Sequence, residues 1–229
     1  MQASLLDSCK GYFKALANRP YTSQKIAGPS ITISRETGAG AVAIGKLVLQ
    51  ILQKNNRNPV PWTLFERNLV ERVIQDHALP ERLMKYMPED KHRYVNNVIE
   101  EALGLHPDPR SLVEHTSDTI LRLAAAGHAI IVGRAGNFIT SRLPNVLHVR
   151  LVAPLEARNR RIRRVRNFTE REAALYIHGM DRGRGQYVKQ YYKEDAADPL
   201  HYHLVLNTGM VPDERAARLI ADAALHFAG

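Results

Sequence analysis

Short β-branched or apolar runs alternate along this chain with longer stretches whose apolar residues recur at helical spacing. Ser30-Ile-Thr-Ile-Ser34 predicts a strand. Val42, Ala43, Leu47, Val48, Ile51 and Leu52 then predict a helix from about Ala41 to Lys54. A second strand is expected within 59–65, and 66–126 reads as mostly helical, broken near Pro80, Pro88 and Pro107-Asp-Pro109. The near-continuous apolar run from His128 to Gly133 suits a parallel strand covered on both faces. Val146 to Val152 is another strand, and Leu155 to Arg166 an arginine-rich helix. Thr169 with Glu172 has the spacing of a capping box, so a new helix should begin there. His203 to Leu206 forms a last strand before a final helix from Pro212 onward.

Strands alternating with helices predict an α/β fold, a parallel sheet with helices on both faces. Ligands of such sheets bind at the C-terminal ends of the strands, which points to the loops after Ser34 and Val132. Upstream, Leu5, Leu6, Tyr12, Phe13 and Leu16 predict a short amphipathic helix over 4–17, and 18–29 reads as a linker. The expected organisation is an N-terminal helix and linker over 1–27 and one domain over 28–229. Within that domain, a helical insertion spans about 66–126 and a lid about 155–193.

Composition narrows the function classes only slightly. The 229 residues carry 32 Lys and Arg against 23 Asp and Glu, a formal charge of +9. Such a surplus favours anionic partners. The single cysteine, Cys9, rules out an intrachain disulfide. With no apolar run long enough to span a bilayer and no secretory leader pattern, the expectation is a cytoplasmic protein. Nucleic acid is disfavoured as a partner because no RNA- or DNA-binding motif stands in the chain. The ten histidines form no convincing metal-ligand set.

The candidate chemistry starts at the turn after the first strand. Arg35-Glu-Thr-Gly-Ala-Gly-Ala-Val-Ala43 places glycines and a helix start where backbone amides can approach phosphate. Ser34, Arg35, Thr37, Gly38, Ala39 and Gly40 are the candidate phosphate-binding residues. In this register Ala41 occupies the usual lysine position and Ala43 the usual magnesium-hydroxyl position. The Walker A loop is therefore degenerate, and the plain alternative is a tight strand-to-helix turn.

These residues resemble the cytidylate kinase-like family. Ile33-Ser-Arg-Glu36 with Gly38-Ala-Gly40 is similar to its opening motif, and Gly133-Arg134 to a later one. Asp181 with Arg184 fits its lid spacing. The resemblance covers roughly 30–227 and implies a three-layer P-loop-kinase-like fold with a sheet of about five strands and helical lid and acceptor-binding insertions. It implies that Arg134 holds the acceptor phosphate and that Arg158, Arg161, Asp181 and Arg184 act catalytically from the lid. Ala135 stands where true cytidylate kinases have an Asp. The implied activity is phosphoryl transfer from ATP to a nucleoside monophosphate or similar small acceptor, with Mg2+ arriving on the nucleotide and no protein ligand identified for it. The alternative is a pseudo-kinase that binds nucleotide without turnover. The expected partner is a nucleotide rather than a membrane, and a homodimer is allowed.

Bland readings stand beside these. Arg158, Arg160, Arg161, Arg163, Arg164 and Arg166 cannot share one helix face, so some must be solvated surface. Arg134 could instead form a salt bridge, and Asp181 and Arg184, three apart on a helix, could simply pair. Tyr187, Tyr191 and Tyr192 could stack on a base or pack together.

Overall fold

Each apolar run of the second half becomes a strand, and the strands among the described residues pair in parallel. The computed structural model describes residues 28–66, 109–133 and 135–227, with side chains from 116 onward in the second segment. The expected helix over 4–17 and most of the insertion over 66–126 lie outside the described residues. The elements are β1 (Ser30–Arg35), α1 (Ala41–Lys54), β2 (Thr63–Glu66), α2 (Pro109–Ala126), β3 (Ala129–Val132), α3 (Gly136–Ile139), β4 (Val146–Val152), α4 (Leu155–Arg166), α5 (Glu170–Tyr192), β5 (Leu204–Asn207) and α6 (Asp213–Leu225). A 3-10 turn at Pro199–His201 precedes β5.

The sheet order is β2-β3-β1-β4-β5. β1 is central, with Ile33 opposite Val132 of β3 and Ser34 opposite Arg150 of β4. The chain leaves β1 toward one edge and returns toward the other, so the C-terminal ends of β1, β3 and β4 frame a crevice.

One face of the sheet carries the main core. Ile31, Ile33, Leu64, Ile130, Val132, Leu147, Val149 and Leu151 meet Ile44, Val48 and Leu52 of α1 and the alanine-rich face of α6. Each large aliphatic side chain buried here stabilises the fold by about 1.5–3 kcal/mol. Ala216, Ala217, Ala221 and Ala224 have no bulk, which lets α6 pack closely beside α1. The opposite face is polar along its centre. Thr32 bonds His148 at 2.9 Å, and the His148 and His203 rings stack at 4.8 Å. Burial, together with the neighbouring His203, pushes the His148 pKa down to about 4.

Helix ends follow the local chemistry. The Thr169 hydroxyl accepts from the Glu172 amide while the Glu172 carboxylate accepts from the Thr169 amide, as the capping box predicts. The Thr169 hydroxyl, first, and the Thr169 amide, second, donate to the Glu172 carboxylate and lower its pKa. The four-residue α3 was not expected, because one turn is too short to show a period. It begins at Ala135, a buried non-glycine residue with φ 56°. The Tyr187 and Tyr191 rings meet tilted at 4.9 Å, and Tyr192 stacks against Phe138 at 5.8 Å, which is aromatic packing.

Candidate functional site

The turn between β1 and α1 needs glycine at two positions. Gly38 and Gly40 both adopt φ 86°, where an L side chain is strained. A Cβ on Gly38 would lie 2.8 Å from the Arg158 carbonyl, and one on Gly40 would collide with the Arg161 guanidinium. The start of α4 thus rests directly on the turn. Gly40 caps α1, whose first backbone bond runs from the Ile44 amide to the Gly40 carbonyl at 3.0 Å. The Thr208 hydroxyl donates to the Ala39 carbonyl at 2.9 Å and ties the turn to the end of β5. Thr37 and Ala39 are buried, and Gly38 and Gly40 half-buried.

Side chains from α4 and α5 converge on this turn. Asp181 Oδ1 accepts from the Thr37 amide at 2.8 Å and from its hydroxyl at 2.6 Å. Asp181 Oδ2 accepts from Arg158 Nη1 at 2.6 Å. Arg184 Nη1 donates to the Thr37 hydroxyl at 2.7 Å and lies 3.5 Å from Asp181. Arg158 also donates to the Ala153 carbonyl at 2.9 Å, and its Nε is 3.4 Å from Glu36. The second oxygen network is completed by Glu36, which accepts from the Ala153 amide at 3.0 Å. Arg161 is held by Asp213 of α6 at 2.8 Å.

The arginine run separates as helical geometry demands. The Arg158 side chain is 12% exposed and that of Arg161 24%, against 64% for Arg160. Arg160 pairs with Glu156 on the outer face. Arg163 and Arg164 are exposed, and Arg166 covers the Tyr176 ring at 4.8 Å. Two of six arginines therefore reach the turn, joined by Arg184 from α5.

Beside the turn lies a cavity of about 160 Å³ at the C-terminal ends of β1, β3 and β4. Ser34, Arg35, Arg150, Asp181, Arg184 and Asp195 are among its lining residues. Gly133 and Ala135 line it too, while Arg134 between them lies outside the described residues. Asp213, Arg150 and Tyr202 were not singled out from the sequence, and Glu36 entered only as part of the opening motif. Arg150 did carry a signal: a lone cation inside an apolar run that was read as a buried strand. Among the described residues, no group of three or more His, Cys, Asp or Glu is placed to hold a metal ion, and no helix is long and apolar enough to cross a membrane.

A central first strand, a glycine turn leading into a helix and a parallel order 2-3-1-4-5 define a P-loop-kinase-like α/β fold. Within that class, the chain belongs to the cytidylate kinase-like family, whose profile matches residues 30–210. No curated protein matches it. Among solved structures, an uncharacterized protein from Eubacterium ventriosum is similar at a TM-score of 0.61 and 18% identity, covering 86% of this chain and 98% of that one. A shikimate kinase from Bacteroides thetaiotaomicron is similar at a TM-score of 0.45 and 13% identity, covering 85% and 96%, a likeness too distant to bear on activity.

Proposed function

We propose that this chain is a nucleotide-binding phosphotransferase that moves a phosphoryl group from ATP to a nucleoside monophosphate or similar small acceptor. The observation that supports this best is the meeting of Arg158, Arg184 and Asp181 at Thr37 of the glycine turn. Phosphoryl transfer asks the protein mainly for positioning and charge neutralisation. The Ser34–Ala43 segment would cradle the donor phosphates through its amides. The acceptor would sit in the adjoining cavity, with Arg134 as the expected ligand of its phosphate. An acceptor oxygen attacks the γ-phosphorus, the bond to the β–γ bridging oxygen breaks, ADP leaves, and the acceptor loses its proton. Arg158, Arg161 and Arg184 would offset the charge spread over the transferring group.

The residues suit phosphate better than metal. Ala43 brings no hydroxyl to the usual magnesium position, so magnesium would come with the nucleotide. In the ligand-free chain the Asp181 carboxylate occupies the Thr37 amide. A phosphate using that amide must displace it.

One specific observation favours a second reading, a nucleotide sensor without turnover: Ala41 and Ala43 supply neither the cation nor the hydroxyl of an ordinary phosphate loop. Measuring ADP release from ATP across a panel of nucleoside monophosphates, alongside calorimetry of ATP binding, separates the two. Release above the ATP-only background supports transfer. Binding without release supports the sensor, and absence of binding removes both.

A further inference from the structure

Arg150 sits on β4, between the central strand β1 and β5, with little of its surface in solvent. The residue is 9% exposed. It lies on β4 opposite Ser34 of β1 and Val205 of β5. Its polar contacts are two hydroxyls, Ser34 Oγ and the Tyr202 hydroxyl, each 3.4 Å from Nη1. Both are longer than a good N–H···O bond. The Tyr202 hydroxyl donates instead to the Ala196 carbonyl at 2.9 Å, and its ring centroid is 5.5 Å from the Arg150 guanidinium carbon. Among the described residues, none of the ion pairs involves Arg150. The neighbouring carboxylates are engaged elsewhere: Asp181 with Thr37 and Arg158, Glu36 with Ala153 and Arg158, and Asp195 with the Ala197 amide. None of the Arg150 nitrogens is both sealed from solvent and without a partner, so its remaining donors face open space where an anion can reach them.

The cavity supplies the space for that anion. Arg150 and Ser34 both line it, beside the glycine turn but on the sheet side of it. We propose that Arg150, beside the Ser34 hydroxyl, is an oxyanion-binding subsite that takes a carboxylate or phosphate group of the small acceptor. A planar guanidinium can hold either group through two parallel hydrogen bonds. The subsite deepens the phosphotransferase reading and relies on it only for the word acceptor. The anion binding itself does not depend on nucleotide.

Arginine side-chain Nε–Hε NMR of the full chain tests this at the residue concerned. The Arg150 resonance is assigned by its loss in Arg150→Lys. Titration with inorganic phosphate and, separately, with acetate should shift it saturably, and the probe that binds tighter identifies the chemical source. Ser34→Ala, which removes the hydroxyl that lines the cavity beside Arg150, should weaken that titration about threefold. Arg150→Met should hold or raise the thermal midpoint, because a largely buried guanidinium without an ion pair has gone. Saturable shifts in a chain that binds no ATP would preserve the subsite and remove the nucleotide reading. An Arg150 resonance that neither probe moves overturns the subsite, even where ATP binds. So does a fall in the thermal midpoint of Arg150→Met, which would mark the guanidinium as a structural element.

Discussion

Replacing Asp181 by Asn should make the protein less stable and a better nucleotide binder. The carboxylate bridges the Thr37 amide and hydroxyl, at 2.8 and 2.6 Å, to Arg158 at 2.6 Å. Asn keeps one oxygen for Thr37 but puts a neutral amide against a guanidinium that is only 12% exposed. Breaking a fully buried pair costs about 3–5 kcal/mol. The Asp181 side chain is 29% exposed, so solvent screening reduces this to roughly 1–3 kcal/mol. For a chain of this size, that lowers the thermal midpoint by roughly 2–12 °C. The same change removes the negative charge that Asp181 presents to Arg158 and Arg184 and weakens the competitor for the Thr37 amide. If ATP phosphates use that amide, affinity should rise by about 1–2 kcal/mol, or roughly 5- to 30-fold. Differential scanning fluorimetry measures the first effect, and calorimetry with ATP at fixed ionic strength the second. ATP affinity that falls together with stability, or does not move, would refute the idea that Asp181 and phosphate compete for the turn.

Other expected outcomes follow from the same geometry. Arg158→Gln should weaken ATP binding at least about tenfold through loss of a charge-assisted contact, whereas Arg164→Gln on the exposed face should leave it unchanged by calorimetry. Gly40→Ala should cost about 1–3 kcal/mol in chemical denaturation, since it forces alanine to φ 86° and drives Arg161 off the turn. The His148 pKa is depressed to about 4, so the unfolded chain binds a proton that the folded chain refuses between pH 6.5 and about 4. Stability should therefore be unaffected by this group above pH 6.5 and fall as pH drops to about 4, by up to about 3 kcal/mol. In denaturation midpoints followed over that range, His148→Gln should flatten the decline, and an unchanged slope would show that the ring is not held neutral.

Much of the fold was legible because strands and helices are written in local periodicity. Ala41–Lys54, Val146–Val152 and Leu155–Arg166 have the limits the pattern predicts, and the capping box at Thr169 starts α5. The glycine turn was legible for a related reason: two positive-φ positions leave few residue choices. The run of arginines was not resolved by its sequence. Periodicity excluded one shared face but could not say which face meets the turn, because that depends on how α4 lies across Gly38.

Local order therefore came from the sequence alone: the α/β alternation, the parallel sheet, the turn and the basic surplus all follow from backbone preference and side-chain type. Partnership across long separations came from tertiary structure. Thr37 meets a carboxylate 144 positions away, and Arg150 meets Ser34 at 116 and Tyr202 at 52. Such contacts depend on strand order and on where α5 and the segment after it settle against the sheet. A charged residue inside a strand announces that it must be accommodated, but only the packed chain decides whether its counter-charge is a neighbour or a ligand.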